Sequence, residues 1–236
     1  MEIGEIIKDA LVYPFNNIVS LLLYMVLGII ACVVAGGTIV SIILGQNYNN
    51  LIAIIGSGII GTVVFLLIFF IIAGYELDII KYGINRDPNA PGFDIVRQFI
   101  NGVKSFAVGI VYYIIPVIIG AILAVIFQHW LSGLISFIIA IVFSLAAIMA
   151  QCRLAKTEDV FDALSVGQAI GDISRVGIVK LILLIVIIVV ILVVLYVIAG
   201  VIMRWNTTVG GIILGILGVY TVFFISRATG LLYSDV

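Results

Sequence analysis

Six long apolar runs divide this chain, at residues 18–44, 51–75, 105–127, 131–150, 178–203 and 209–226. A helix needs about 20 mainly apolar residues to cross the hydrocarbon of a bilayer, so each run predicts a membrane span. The first, second and fifth runs exceed that minimum, which predicts tilt or protruding ends. The connections alternate in character. Residues 46–50, 128–130 and 204–208 are short, polar and nearly uncharged, whereas 76–104 and 151–176 are long and hold most of the charge. With six spans, the long connections and both termini fall on one side.

Helical periodicity continues inside the polar segments. Val96, Phe99, Ile100 and Val103 follow a 3–4 spacing, opposed by Asp94, Arg97, Gln98, Asn101 and Lys104. Asp94, after the Pro91-Gly92 breaker, is placed to cap that helix. A similar stripe of Ile3, Ile6, Ile7, Ala10 and Leu11 lies near the N-terminus, and a weaker one follows Val160, Phe161 and Leu164. Such segments predict helices lying in the membrane interface with their apolar face in the acyl boundary, over about 2–12, 93–104 and 158–172. The expected fold is all-α: one integral membrane domain over 1–236, with six transmembrane helices as three hairpins. Each hairpin is preceded by a cytoplasmic interfacial amphipathic helix. Ile6-Ile7-Lys8-Asp9-Ala10-Leu11 matches Ile95-Val96-Arg97-Gln98-Phe99-Ile100 in residue class at five of six positions, which leaves a true repeat open.

Composition removes the soluble alternative. The chain is 64% hydrophobic and 10% charged with a mean hydropathy of +1.41, against about 25% charged residues in soluble domains. Glu2, Glu5 and Asp9 outnumber Lys8 ahead of the first run, whereas a cleavable secretory signal opens on positive charge. Of the 11 Lys and Arg residues, Arg204 alone falls on the side of the short turns. The other ten, and all 12 acidic residues, share the side of the long connections. Cytoplasmic loops carry the excess of Lys and Arg, so both termini are expected in the cytoplasm and the protein in the cell membrane.

The chemistry inside the runs is sparse. None has an Asp, Glu, Arg or His at mid-depth, which argues against a pump, a proton-coupled carrier or a voltage sensor. Small residues four apart, Ser57 with Gly61 and Gly211 with Gly215, let helix backbones approach closely, within this bundle or across a subunit contact. Pro116 removes a backbone donor and predicts a kink in the third span. His129, beside Gln128 and Trp130 in an outer turn, reads as the neighbour of an interfacial Trp anchor. Asn206-Thr207-Thr208 matches the glycosylation pattern but sits tight between two spans. Glu158-Asp159-x-x-Asp162 is the densest carboxylate group, read as a solvated face before a cation site. Cys32 and Cys152 lie in different settings and predict no disulfide. No catalytic residue, metal ligand or cofactor is expected, and no nucleic-acid partner.

Several short stretches resemble a family of integral membrane proteins known as domain of unknown function four thousand and thirteen. They are Tyr13-Pro14-Phe15, Ala73-Gly74-Tyr75, Pro91-Gly92-Phe93-Asp94, and Asn101-Gly102-Val103-Lys104 leading to Tyr112-Tyr113 and Pro116. The likeness runs through the first half of the chain and thins beyond Ala150. The family is frequent in methanogenic archaea, so the resemblance implies an archaeal setting, together with fold and topology but no activity.

The expected role is a non-enzymatic structural or accessory component. It would act through membrane lipids, self-association into a homo-oligomer, or the partner subunits of a membrane complex. The alternatives are a transporter or channel for a small uncharged or lipid-like substrate, and an enzyme acting on lipid head groups.

Overall fold

The computed structural model describes every residue except Asn49, Gln128 and His129. The expectation for His129 therefore lies outside the described residues. Among those residues the secondary structure is helical throughout. The helices are α1 (Ile3–Asn16), α2 (Ile18–Asn47), α3 (Leu51–Ile84), α4 (Ile95–Ile126), α5 (Trp130–Thr157), α6 (Val160–Ala163), α7 (Val166–Val176), α8 (Ile178–Trp205) and α9 (Thr207–Tyr233). Six of them, α2, α3, α4, α5, α8 and α9, are long and apolar enough to cross a membrane. The chain is a multi-pass membrane protein.

Several helices outrun the apolar runs that announced them. At 1.5 Å per residue, the 34 residues of α3 extend about 51 Å, against roughly 30 Å of hydrocarbon. The runs ending at 75, 150 and 226 continue as helix to Ile84, Thr157 and Tyr233. The added turns are protein core: Leu77, Ile79, Leu154, Ala155, Leu231 and Leu232 are all buried. Hydropathy falls there because charged residues share those turns, not because the helix ends.

The amphipathic segments differ from expectation more deeply. Residues 93–104 do not form a separate interfacial helix. Asp94 caps the helix as expected, accepting from the Arg97 backbone N–H at 3.1 Å, and α4 then runs without a break from Ile95 through Pro116 to Ile126. The apolar stripe of α1 faces protein: Ile6 and Ala10 are fully buried, with Ile3, Ile7 and Leu11 packed beside them. The stripe expected over 158–172 is two helices, α6 and α7, and Ala169, Ile173 and Val176 of α7 are buried in the same core. An amphipathic face is satisfied equally by lipid or by other apolar side chains. Here α8, α9 and α5 were close enough to take it.

Burial is confined to the end of the bundle that carries the charges. Across residues 25–67, 113–145 and 189–219, the only buried residues among those described are Gly45, Ala199 and Gly210. Consecutive helices α2 and α3, α4 and α5, and α8 and α9 pack beside each other, and α3 also packs along α4 and α9. The crossings at the charged end are made by glycine. A Cβ on Gly74 would lie 1.7 Å from the Gln98 carbonyl oxygen, and one on Gly102 would lie 1.8 Å from that of Phe70. Gly83 of α3 and Gly230 of α9 meet in the same way, with 3.0 Å between a Cβ on Gly83 and the Gly230 Cα.

Candidate functional site

The polar residues of the charged end pair with one another in several nodes. At the first is Arg227, which is 1% exposed although it belongs to an apolar helix. Its Nε donates to Asp9 of α1 at 2.7 Å, its Nη1 donates to the backbone carbonyls of Tyr82 and Asp87, and its guanidinium lies 4.7 Å from the Tyr13 ring centroid. One side chain thus joins the first helix, the last helix and the end of α3. The same connection is read from the other side by Asn17, whose amide donates to the Pro88 carbonyl at 3.1 Å and accepts from the Ala90 N–H at 2.8 Å. The Tyr13 hydroxyl donates to the Asn89 carbonyl at 3.2 Å, and burial raises its pKa, so it stays a neutral donor.

A second node surrounds Asp172, which is fully buried. Its carboxylate accepts from Arg153 at 2.8 Å, from Arg175 at 3.1 Å and from the Tyr233 hydroxyl at 2.6 Å. Arg153 also pairs with Asp162 at 2.6 Å, so α5, α6, α7 and α9 share one network. Toward α4, Asp78 of α3 accepts from Arg97 and Asn101, each at 3.1 Å.

The carboxylates singled out in the sequence do not converge. Glu158 pairs with Lys81, Asp162 with Arg153, Asp94 caps α4, and Asp159 caps α6 by accepting from the Phe161 N–H. Lys81 hydrogen-bonds the Glu158 carboxylate and holds its pKa below the ordinary glutamate value. Among the described residues no three His, Cys, Asp or Glu side chains gather as a metal site. Both cysteines are free, with Cys32 exposed and Cys152 buried.

The small-residue pairs part company. Gly61 is pressed against α2, where a Cβ would lie 1.8 Å from the Thr38 hydroxyl oxygen. Ser57, one turn earlier, sends its hydroxyl to its own Ile54 carbonyl at 3.4 Å. Gly211 and Gly215 instead have open space beside them, and both line a groove of about 690 Å³ between α2 and α9. On α2 the lining is Met25, Gly28, Ile29, Cys32 and Val33, and on α9 it runs from Thr207 to Val219. Val96, Ile100 and Val103 turn outward from α4 and are exposed, whereas Phe99 tilts onto α3, its ring edge-on to Phe70 at 5.7 Å. Asn206 caps α9, its side-chain oxygen accepting from the Thr208 and Val209 N–H groups at 3.1 Å.

Two of the stretches noticed in the sequence, around Gly74 and around Gly102, are the facing sides of the α3 and α4 crossing. A family model matches residues 58–204, which covers both stretches and four of the six long helices in whole or part. The chain belongs to the DUF4013 family of proteins of unknown function. The DUF4013 match carries on past Ala150 to the end of α8, farther than the short motifs reach. Tyr13-Pro14-Phe15, Arg227 and Asp9 fall outside it. No curated protein and no solved structure compared with the chain matches it.

Sequence reasoning missed Arg227, Asp9, Asp172 and Asn17 as a group. Each looks ordinary in the chain, and partners as far apart as Asp9 and Arg227 share no local pattern. Only Arg227 carried a signal, as a lone cation directly after an apolar run.

Proposed function

We propose that this DUF4013 protein is a non-enzymatic structural or accessory component of the cell membrane, with both termini in the cytoplasm. It works through lipid contact, self-association or partner subunits. One contrast carries the reading. The charged end spends its ionisable groups on one another and on backbone carbonyls, while the far halves of the spans leave their apolar side chains uncovered. A chain built this way has a fixed, water-facing base and a large surface offered to whatever fills the membrane around it. Light scattering of the purified protein in mild detergent, with imaging of vesicles that contain it, tests the proposal. A higher oligomer or altered vesicle shape is expected. A monomer that leaves vesicles unchanged ends this reading.

A second reading, a carrier for a small uncharged or lipid-like substrate, is favoured by the groove between α2 and α9. It requires transfer, so labelled lipid should equilibrate between the leaflets of vesicles containing the protein faster than in protein-free ones. An enzyme acting on head groups has the least support, because Glu158, Asp162 and Asp94 each serve a different structural partner.

A further inference from the structure

The groove between α2 and α9 is bounded at one end by aromatic packing. Near the charged end the two helices meet through Tyr24 and Phe223, whose rings stand edge-on at 5.5 Å, and Leu21 is buried beside them. Beyond that point the walls are apolar apart from Thr207 and Thr208 at the far rim. The volume, about 690 Å³, is within the 300–1,000 Å³ of small-molecule sites. Gly28, Gly211, Gly215 and Gly218 create the room, since a Cβ on any of them would meet nothing within 4 Å.

The far rim has a charge to match. Arg204 is exposed and makes no ion pair among the described residues, unlike Arg97, Arg153, Arg175 and Arg227. It sits in the last turn of α8, three residues before Thr207, which places their Cα atoms within about 11 Å. Trp205, next to it, is 87% exposed, as an anchor at the head-group level would be.

We propose that this groove seats one hydrocarbon tail of an anionic phospholipid from the leaflet at the far end, with the lipid phosphate held by Arg204. The proposal rests on the membrane reading above and names a ligand for it. Within the hydrocarbon region an apolar groove open to the side is filled by chain rather than water. Arg is well suited to a phosphate, which it can grip through two parallel N–H bonds.

Native mass spectrometry with added phosphatidylglycerol or phosphatidylcholine tests it, using the full chain reconstituted and re-extracted. Wild type should retain one phosphatidylglycerol per chain, at least tenfold more tightly than phosphatidylcholine. The double substitution Gly211→Leu and Gly215→Leu fills open space and raises helix propensity, so folding should persist, checked by circular dichroism and melting temperature. It should lose both lipids. Arg204→Gln, at an exposed position, should bind phosphatidylglycerol and phosphatidylcholine alike. Equal retention by wild type and the filled variant overturns the proposal, as does an Arg204→Gln protein that keeps the preference. A second copy of the chain retained in place of lipid, and lost from the filled variant, also overturns it, in favour of a dimer formed through the groove. Vesicle insertion is scored in the same preparation. A chain that inserts but binds no lipid ends this inference alone, whereas one that does not insert ends the membrane reading with it.

Discussion

Arg227 shows how one residue can serve an entire fold. A guanidinium 1% exposed has lost its water, and its donors are repaid by the Asp9 carboxylate and two carbonyls at the end of α3. Arg227→Met keeps most of the stem but orphans those acceptors. We expect a loss of about 2–3 kcal/mol in denaturant unfolding from detergent, below the largest values because Asp9 is partly exposed. Arg227→Lys should restore less than half, since a single ammonium cannot face three acceptors as a planar fork does. Glu158 gives a pH test. Its folded pKa lies below the ordinary 4.5, so its stabilisation is complete above that value and fades as pH falls through the folded pKa. Both partners are well exposed, so the effect at physiological salt is well under 1 kcal/mol. Melting curves of wild type and Glu158→Gln should therefore differ slightly at pH 7 and converge as the pH falls below the ordinary glutamate value.

At the scale of elements, the crossing of α3 and α4 depends on two glycines that meet backbone rather than flexible side chain. Gly102→Ala would put a methyl group 1.8 Å from the Phe70 carbonyl oxygen, and Gly74→Ala one 1.7 Å from that of Gln98. Neither backbone can yield without parting the helices, so each change should cost about 3 kcal/mol, at the upper end of overpacking penalties. Gly215→Ala, facing open groove, should be neutral or slightly stabilising in the same unfolding assay. A result in which all three behave alike would mean that these helices do not cross where the glycines lie. The amphipathic helices make a related point. The spacing of Ile6, Ala10 and Ile7 read correctly as one apolar face, yet spacing says nothing about what covers it.

For the whole molecule, the base is welded and the far half is open. Ion pairs tie α1 to α9, α3 to the connection after α5, and α5 to α7. If the charged end is cytoplasmic, a Cys32→Ser background carrying Thr207→Cys should react in intact cells with a membrane-impermeant maleimide. Asp235→Cys should react only after the cells are opened. The reverse pattern would invert the topology read from Lys and Arg.

The sequence by itself determined the membrane class, the six spans and the gathering of charge at one end. Those properties are sums over long stretches, and hydropathy measures them residue by residue. It also marked the cap at Asp94, because caps demand particular residue types, but it picked out Gly74 and Gly102 only as parts of a family resemblance and not as a helix crossing. Tertiary structure alone decided that α1 and α7 bury their stripes in protein, that Gly61 is packed while Gly211 and Gly215 border a groove, and that Arg227 finds Asp9 across most of the chain. A small residue permits contact and an apolar stripe seeks cover. Which neighbour supplies them depends on how distant helices meet, and no local pattern in the chain encodes that.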